Sequence, residues 1–152
     1  MTSELFKQAL KFVLKWEGGY VNNPNDKGGA TNKGITQNTY NSWLKSQGKN
    51  QKDVRNITDS EVEQIYYQNY WLAAGCDKMN KAFAILSFDT AVNMGVSRVS
   101  EFLKAAQWLY PDKFILARAE KYNEFANVAS QRQFLHGWLN RLFDLKKYVD
   151  QT

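Results

Sequence analysis

The apolar residues at the start of the chain recur with helical spacing and stop at two glycines. Four of them share one stripe: Leu5, Ala9, Val13 and Trp16. With Ser3 as a suitable N-cap, this pattern predicts an amphipathic helix that runs to about Trp16. Gly18 and Gly19 predict its end, because glycine accepts the left-handed turn that often closes a helix. We therefore expect Glu17 in the last helical turn, beside Trp16.

The next stretch, residues 18–35, contains too much glycine, asparagine and aspartate for a helix. Two short segments within it, Tyr20-Val21 and Gly34-Ile35, are candidates for a small two-stranded hairpin. Thr36 then begins a second helical pattern, whose apolar stripe consists of Tyr40, Trp43 and Leu44. The amino-terminal part is therefore expected to be helix, loop with a hairpin, and helix.

The rest of the chain predicts more helices. Residues 58–61, Thr-Asp-Ser-Glu, form a capping-box pattern. The helix that it opens carries one apolar and aromatic series: Val62, Ile65, Tyr66, Tyr70 and Trp71. Residues 82–92 are apolar on nearly every side, which indicates a buried central helix, and Asp89 and Asn93 share one face of it. After Gly95 we expect three further helices, the last from about residue 131, and no linker separates them from the first half.

Composition narrows the class of protein. The 152 residues are 43% hydrophobic and 14% aromatic, which excludes disorder and predicts a single mainly α-helical domain over residues 1–152. We expect residues 1–95 to form one half of that domain and residues 96–152 to complete the fold. The net charge of +5 could favour nucleic acid, and it equally favours anionic cell-wall polymers or bacterial surfaces. The basic residues are dispersed, so no nucleic-acid-binding stripe stands out. Cys76 and His136 cannot assemble a metal cluster alone, so we expect no metal or cofactor, and we expect Cys76 to be a buried or partly buried thiol.

The segment that follows the first helix carries the candidate chemistry. Glu17 is the first acid there, Asp26 is the second, and Thr31 and Thr36 supply hydroxyl groups. A carboxyl group packed against an indole tends to keep its proton, whereas a carboxyl group in a polar loop stays ionised. Such an unequal pair suits glycoside hydrolysis, in which one carboxyl group donates a proton and a second polar group handles water or the sugar cation.

Two stretches of this chain resemble one enzyme family. Residues 17–20 read Glu-Gly-Gly-Tyr, and residues 23–36 read Asn-Pro-Asn-Asp-Lys-Gly-Gly-Ala-Thr-Asn-Lys-Gly-Ile-Thr. Together they are similar to the signature of glycoside hydrolase family 108, the bacterial and phage N-acetylmuramidases. Residues 89–95, Asp-Thr-Ala-Val-Asn-Met-Gly, resemble a second signature of that family. Residues 134–141 resemble its last helix, so the resemblance spans nearly the whole chain. A longer insertion that many members use for wall binding is missing here.

The resemblance implies a lysozyme-like helical domain with a small β-hairpin lobe after the first helix. It implies cleavage of the bond between N-acetylmuramic acid and N-acetylglucosamine in peptidoglycan, as in an endolysin or a secretion-associated muramidase. The implied catalytic residues are Glu17 as general acid, with Asp26 and Thr31. The implied substrate-binding residues are Tyr20, Thr36, Tyr70, Trp71 and Asn93.

We expect the protein to be a monomer whose partner is the glycan strands of peptidoglycan. We expect it to bind no nucleic acid and not to insert stably into a membrane. The amino end lacks the pattern of a signal peptide, so we expect synthesis in the cytoplasm and release to the wall by a holin or a secretion system. Three alternatives stay open from the sequence. A lytic transglycosylase needs only one glutamate, and a non-catalytic wall-binding or assembly protein would not need Glu17 at all. A basic helical nucleic-acid binder ranks last, because the chain shows no basic recognition helix.

Overall fold

The structure, a computed structural model, describes residues 2–25 and 27–152. In this part of the chain there are eight α-helices and one two-stranded antiparallel sheet. The helices are α1 (Glu4–Trp16), α2 (Gln37–Ser46), α3 (Asp59–Tyr66), α4 (Lys81–Met94), α5 (Val99–Ala105), α6 (Pro111–Phe125), α7 (Ala129–Arg132) and α8 (Leu135–Gln151), and the strands are β1 (Thr31–Asn32) and β2 (Ile35–Thr36). The predicted mainly α fold with a small hairpin after the first helix is confirmed.

The chain divides into two compact units, Met1–Asn69 and Tyr70–Thr152. The first unit contains α1 to α3 and the sheet, and the second contains α4 to α8. The sequence analysis placed its internal boundary at residue 95. The assignment of residues 1–152 to one domain stays a prediction.

Helix α1 begins and ends where the sequence predicts, but it ends in a different way. Ser3 Oγ caps its start by accepting a hydrogen bond of 3.2 Å from the Phe6 N–H. At the other end Glu17 is the C-cap residue, with an extended backbone (φ −84°, ψ 135°). Gly18 and Gly19 do not have positive φ, so the expected left-handed closure is wrong. The helix closes because the chain turns abruptly into an extended conformation at Glu17, one residue beyond the last helical turn.

The hairpin forms between different partners from those predicted. Thr31 pairs with Thr36 and Asn32 pairs with Ile35, whereas Val21 forms only a bridge to Thr31. The turn residues Lys33 and Gly34 both have positive φ, at 50° and 75°. Positive φ at both positions is what a two-residue type I′ turn requires, and glycine at the second position favours it. The local turn therefore sets the pairing, because it closes a much shorter loop than a pairing of Val21 with Ile35 would.

Side-chain amides tie the hairpin to the neighbouring loop. Gln37, the first residue of α2, donates to the Lys52 carbonyl at 2.7 Å and accepts from the Val54 N–H at 2.8 Å. Asn32, which is 8% exposed, donates to the Val54 carbonyl at 3.1 Å. A two-stranded sheet is marginal alone, so these bonds are part of what holds it in place.

Helix α3 begins with the predicted capping box, and Glu61 of that box also binds Tyr40 of α2. Glu61 Oε2 accepts from the Thr58 N–H at 3.0 Å and from the Tyr40 hydroxyl at 2.8 Å. Lys52 Nζ lies 3.4 Å from the other carboxylate oxygen. Burial acts to raise the pKa of Glu61, but the hydrogen bonds and the lysine charge outweigh it and hold the pKa below its usual value.

The predicted long helix after residue 58 is wrong in its second half. Helix α3 ends at Tyr66, and the chain continues as a π-helical segment, Tyr67–Leu72. Tyr67 packs its ring edge-to-face on Phe6 of α1, with the ring centroids 5.0 Å apart. Apolar spacing in sequence does not distinguish an α-helical turn from the slightly wider π-helical turn, so this change could not be read from the pattern.

In the second unit, α4 is the predicted buried central helix, and it packs on α5, α6 and α8. Asp89 on α4 pairs with Arg118 of α6 at 2.7 Å and with Arg141 of α8 at 2.9 Å. The carboxylate and the Arg118 side chain are fully buried. Asp89 therefore ties α4 to two neighbouring helices. The expected last helix from residue 131 is instead two helices, α7 and α8, separated by a turn at residues 133–134.

Cys76 is the buried thiol that the sequence predicts, at 1% exposure. Burial, and then the charge of Asp77, raises the pKa of this thiol to about 12. None of the helices in the described residues is long and apolar enough to cross a bilayer.

We predict that Glu61→Gln lowers the free energy of unfolding by roughly 1–3 kcal/mol at pH 7, because it weakens the bonds to Tyr40 and Lys52 in a buried position. The pKa of Glu61 is lowered in the folded state. Its stabilisation is therefore complete above its ordinary value of 4.5 and is lost as the pH falls through the folded value. Urea unfolding at pH 7 and pH 3 measures both effects.

The matched control is Glu120→Gln, which changes an exposed glutamate on α6. This variant should unfold like the wild type at both pH values. A Glu61→Gln deficit that stays the same at pH 3 would contradict the ionic origin of the effect.

Candidate active site

Glu17 lies at the end of α1, and its carboxyl group approaches the hairpin turn very closely. A Cβ atom added at Gly34 would lie 3.0 Å from Glu17 Oε2 and 3.1 Å from Glu17 Cγ. Both distances are shorter than ordinary carbon contacts. Because Gly34 also has a φ of 75°, it is the residue type that fits this position. The turn therefore brings bare backbone against the side chain of the predicted general acid.

Tyr66 reaches the same point from the last turn of α3. Its hydroxyl donates to the Lys33 carbonyl at 2.7 Å and would lie 2.3 Å from a Cβ at Gly34. The Tyr66 hydroxyl and the Glu17 carboxylate thus both lie within 3.0 Å of one position. Tyr66 is fully buried, and the sequence analysis assigned it only to the apolar stripe of a helix. Nothing local marks it as a site residue, because the hairpin meets it only in three dimensions.

Tyr20, the last residue of the Glu-Gly-Gly-Tyr motif, is paired with an arginine that the sequence analysis did not single out. The Arg55 guanidinium lies over the Tyr20 ring, 4.5 Å from its centroid, and donates to the Tyr20 hydroxyl at 3.2 Å. Asp53 accepts from the Arg55 N–H at 2.8 Å. An exposed cation is therefore held on the ring that was predicted to contact substrate.

The two threonines of the motif have different surroundings. Thr31 is half-buried in β1, and its backbone pairs with Val21 at 2.7 and 2.8 Å. Thr36 caps α2: its hydroxyl accepts from the Thr39 N–H at 3.2 Å and contacts the Thr39 hydroxyl at 3.0 Å. These bonds give Thr36 a structural role, and its contact with substrate stays a prediction. Asp26 lies outside the described residues.

The remaining predicted residues belong to the second unit. Tyr70 is half-buried, whereas Trp71 is only 2% exposed and packs edge-to-face on Phe88 of α4, with centroids 5.4 Å apart. An indole with so little exposed surface has no face available for a sugar ring in this conformation. The burial of Trp71 therefore indicates a core role.

Asn93 lies near the end of α4, with the oxygen of its amide already engaged. Its Oδ1 accepts from the Tyr122 hydroxyl and lies 3.5 Å from Arg118 Nη2. Burial raises the pKa of Tyr122 despite the nearby arginine charge, so the phenol stays a neutral donor. Because these donors face the Asn93 oxygen, the amide NH₂ group is the part of Asn93 left to donate to a ligand.

A metal site does not emerge from this arrangement. Among the described residues, no group of three or more histidine, cysteine, aspartate or glutamate side chains is placed to hold an ion. The first unit offers the Glu17 carboxyl group, which lies close to the backbone of the hairpin turn at Gly34.

The mainly helical fold with a small antiparallel sheet after the first helix is lysozyme-like. Residues 10–95 match glycosyl hydrolase 108, and this range is more than half of the chain and contains every predicted site residue. The chain therefore belongs to glycosyl hydrolase family 108. Membership supports a glycoside hydrolase, and it confirms the family that the Glu-Gly-Gly-Tyr motif indicated.

Among solved structures, the chain is similar to one titled "Structure of Brucella abortus SagA", with 24% sequence identity and a TM-score of 0.75. The alignment covers 95% of this chain and 92% of that chain, so the two share their fold over nearly their whole lengths. No curated protein matches the chain.

We predict that Gly34→Ala destabilises the protein by roughly 1–3 kcal/mol and that Tyr66→Phe recovers part of that loss. A non-glycine residue at this φ is strained, and the new Cβ would also collide with the Tyr66 hydroxyl. Removing the hydroxyl removes its contact but not the strain. Urea unfolding of the wild type, the two single variants and the double variant measures the interaction free energy between positions 34 and 66.

The control pairs Gly34→Ala with Tyr40→Phe, which also removes a buried hydroxyl but one bonded to Glu61. That pair should be additive. Additivity of Gly34→Ala with Tyr66→Phe would contradict the close approach of the hydroxyl and the turn.

Proposed function

We propose that this protein is an N-acetylmuramidase that cleaves the MurNAc–GlcNAc bond of peptidoglycan, with Glu17 as general acid. Membership of glycosyl hydrolase family 108 supports glycoside hydrolysis. The observation that carries the choice of Glu17 is its position, since its carboxyl group is held against the hairpin turn by the close approach at Gly34. A general acid must be held in a productive geometry before proton transfer can contribute to rate.

In the proposed reaction Glu17 donates its proton to the oxygen that links the two sugars, and the bond to the muramic acid carbon breaks. The sugar then carries oxocarbenium-like positive charge. Asp26 and Thr31 would stabilise this charge or position the water that completes hydrolysis. The Asn93 amide NH₂ and the Tyr20 ring are the proposed contacts to the glycan, and peptidoglycan strands are the proposed binding partner.

We predict that Glu17→Gln lowers the rate of peptidoglycan clearing by about 10²–10⁴-fold, because glutamine cannot donate the proton. The measurement is turbidity loss of purified peptidoglycan, followed by mass analysis of the products. A muramidase leaves reducing muramic acid ends. Glu4→Gln, an exposed acid on the same helix, is the control and should clear peptidoglycan at the wild-type rate.

Each other outcome selects a different function. Anhydro-muramic ends would assign a lytic transglycosylase, in which the sugar closes on itself. Equal clearing by wild type and Glu17→Gln would remove Glu17 from the mechanism. Binding of peptidoglycan without clearing by any variant would favour the non-catalytic wall-binding protein.

A further inference from the structure

We propose that Arg55, held on the Tyr20 ring, binds a carboxylate group of the peptidoglycan strand and so contributes to substrate selection. The proposal rests on the proposed function, in which the glycan strand lies beside Glu17. A peptidoglycan strand carries carboxylates on its stem peptides, or on the lactyl group of muramic acid where the peptide is absent. In this scheme Arg55 contacts substrate but takes no part in proton transfer.

The Arg55 side chain is exposed, but two contacts with Tyr20 fix its position. Its guanidinium lies over the ring, 4.5 Å from the centroid, and donates to the hydroxyl at 3.2 Å. Tyr20 itself closes the Glu-Gly-Gly-Tyr motif that begins at Glu17. A surface arginine loses rotamer entropy when a ligand orders it, which weakens binding. Because Tyr20 already orders this arginine in the free protein, less of that cost falls on ligand binding.

The backbone of Arg55 is held by two side chains. Asp53 accepts from its N–H at 2.8 Å, and the Asn32 amide donates to its carbonyl at 3.3 Å. Asn32 belongs to β1, and Gly34 in the turn that follows lies close to the Glu17 carboxyl group. Arg55 and the predicted general acid therefore both border the hairpin, although they come from segments far apart in the chain.

The guanidinium keeps hydrogen-bonding capacity for a ligand. It has five N–H donors, and within the described residues only Nη2 donates, to the Tyr20 hydroxyl. The Asp53 carboxylate accepts from the backbone N–H of Arg55 and forms no ion pair with its side chain. The hydrogen bond to Tyr20, and then the charge of Asp53, raise the pKa of Arg55, so the side chain stays cationic. The planar fork of a guanidinium matches the two oxygens of a carboxylate, which is the ligand chemistry that this arrangement favours.

The test is the binding of glycan strands by Arg55→Gln, with Glu17→Gln present in every protein so that cleavage does not interfere. The control is Lys45→Gln, which removes the same charge from an exposed side chain on α2. Three soluble preparations are the probes: strands with stem peptides, the same strands with their carboxylates converted to amides, and strands stripped of peptides by an amidase. We expect Arg55→Gln to weaken binding of strands that carry carboxylates about 3–10-fold and to leave binding of the amidated strands unchanged.

The preparation that shows the effect identifies the carboxylate. Weaker binding of strands with stem peptides assigns a stem-peptide carboxylate, and weaker binding of the stripped strands assigns the lactyl carboxylate. An equal loss on the amidated strands would indicate a structural role for Arg55 and would overturn the proposal. A loss no greater than that of Lys45→Gln would indicate an effect of net charge and would also overturn it.

A kinetic measurement separates binding from catalysis. In the protein that retains Glu17, Arg55→Gln should raise KM for strands that carry carboxylates and leave kcat near the wild-type value, because the contact is made equally in the ground state and the transition state. A fall in kcat with KM unchanged would contradict this role. If the wild type does not cleave peptidoglycan, the proposed function fails, and the binding comparison still decides the role of Arg55.

Discussion

The first unit depends on a close approach between a side chain and a turn of backbone. A Cβ atom at Gly34 would collide with the Tyr66 hydroxyl, at 2.3 Å, and would crowd the Glu17 carboxyl group, at 3.0 Å. The turn itself needs positive φ at Lys33 and Gly34, and the same backbone supplies the carbonyl that binds Tyr66. The steric space and the turn geometry therefore both favour glycine at position 34.

The hairpin is too small to hold this position alone. Two residue pairs give little stability in water, so the surrounding polar side chains must locate it. Gln37 and Asn32 bind the backbone of the neighbouring loop, and Lys33 reaches α3 through Asp59. Asn32 is buried, and its backbone partner offsets the cost of removing the amide from water.

In the second unit, buried ion pairs place a polar residue near the end of the central helix. Asp89 would be very costly to bury alone, and two arginines from α6 and α8 compensate its charge. One of them, Arg118, also bonds Thr90 and Tyr122, and that network reaches the oxygen of Asn93. The helices around α4 are thus linked through one ion cluster, and the orientation of Asn93 follows from it.

The sequence by itself determined the helical class, the N-cap at Ser3, the start of the second helix at about Thr36, the capping box and the burial of α4. These features depend on residues within a few positions of one another, so local spacing is sufficient. It also indicated the family, because the motif around Glu17 is long and continuous. Only the tertiary structure decided the pairing of Thr31 with Thr36, the core position of Trp71 and the bond of Tyr66 to the hairpin turn. Those depend on contacts between segments far apart in the chain, and hydrophobic periodicity does not specify which distant segments meet.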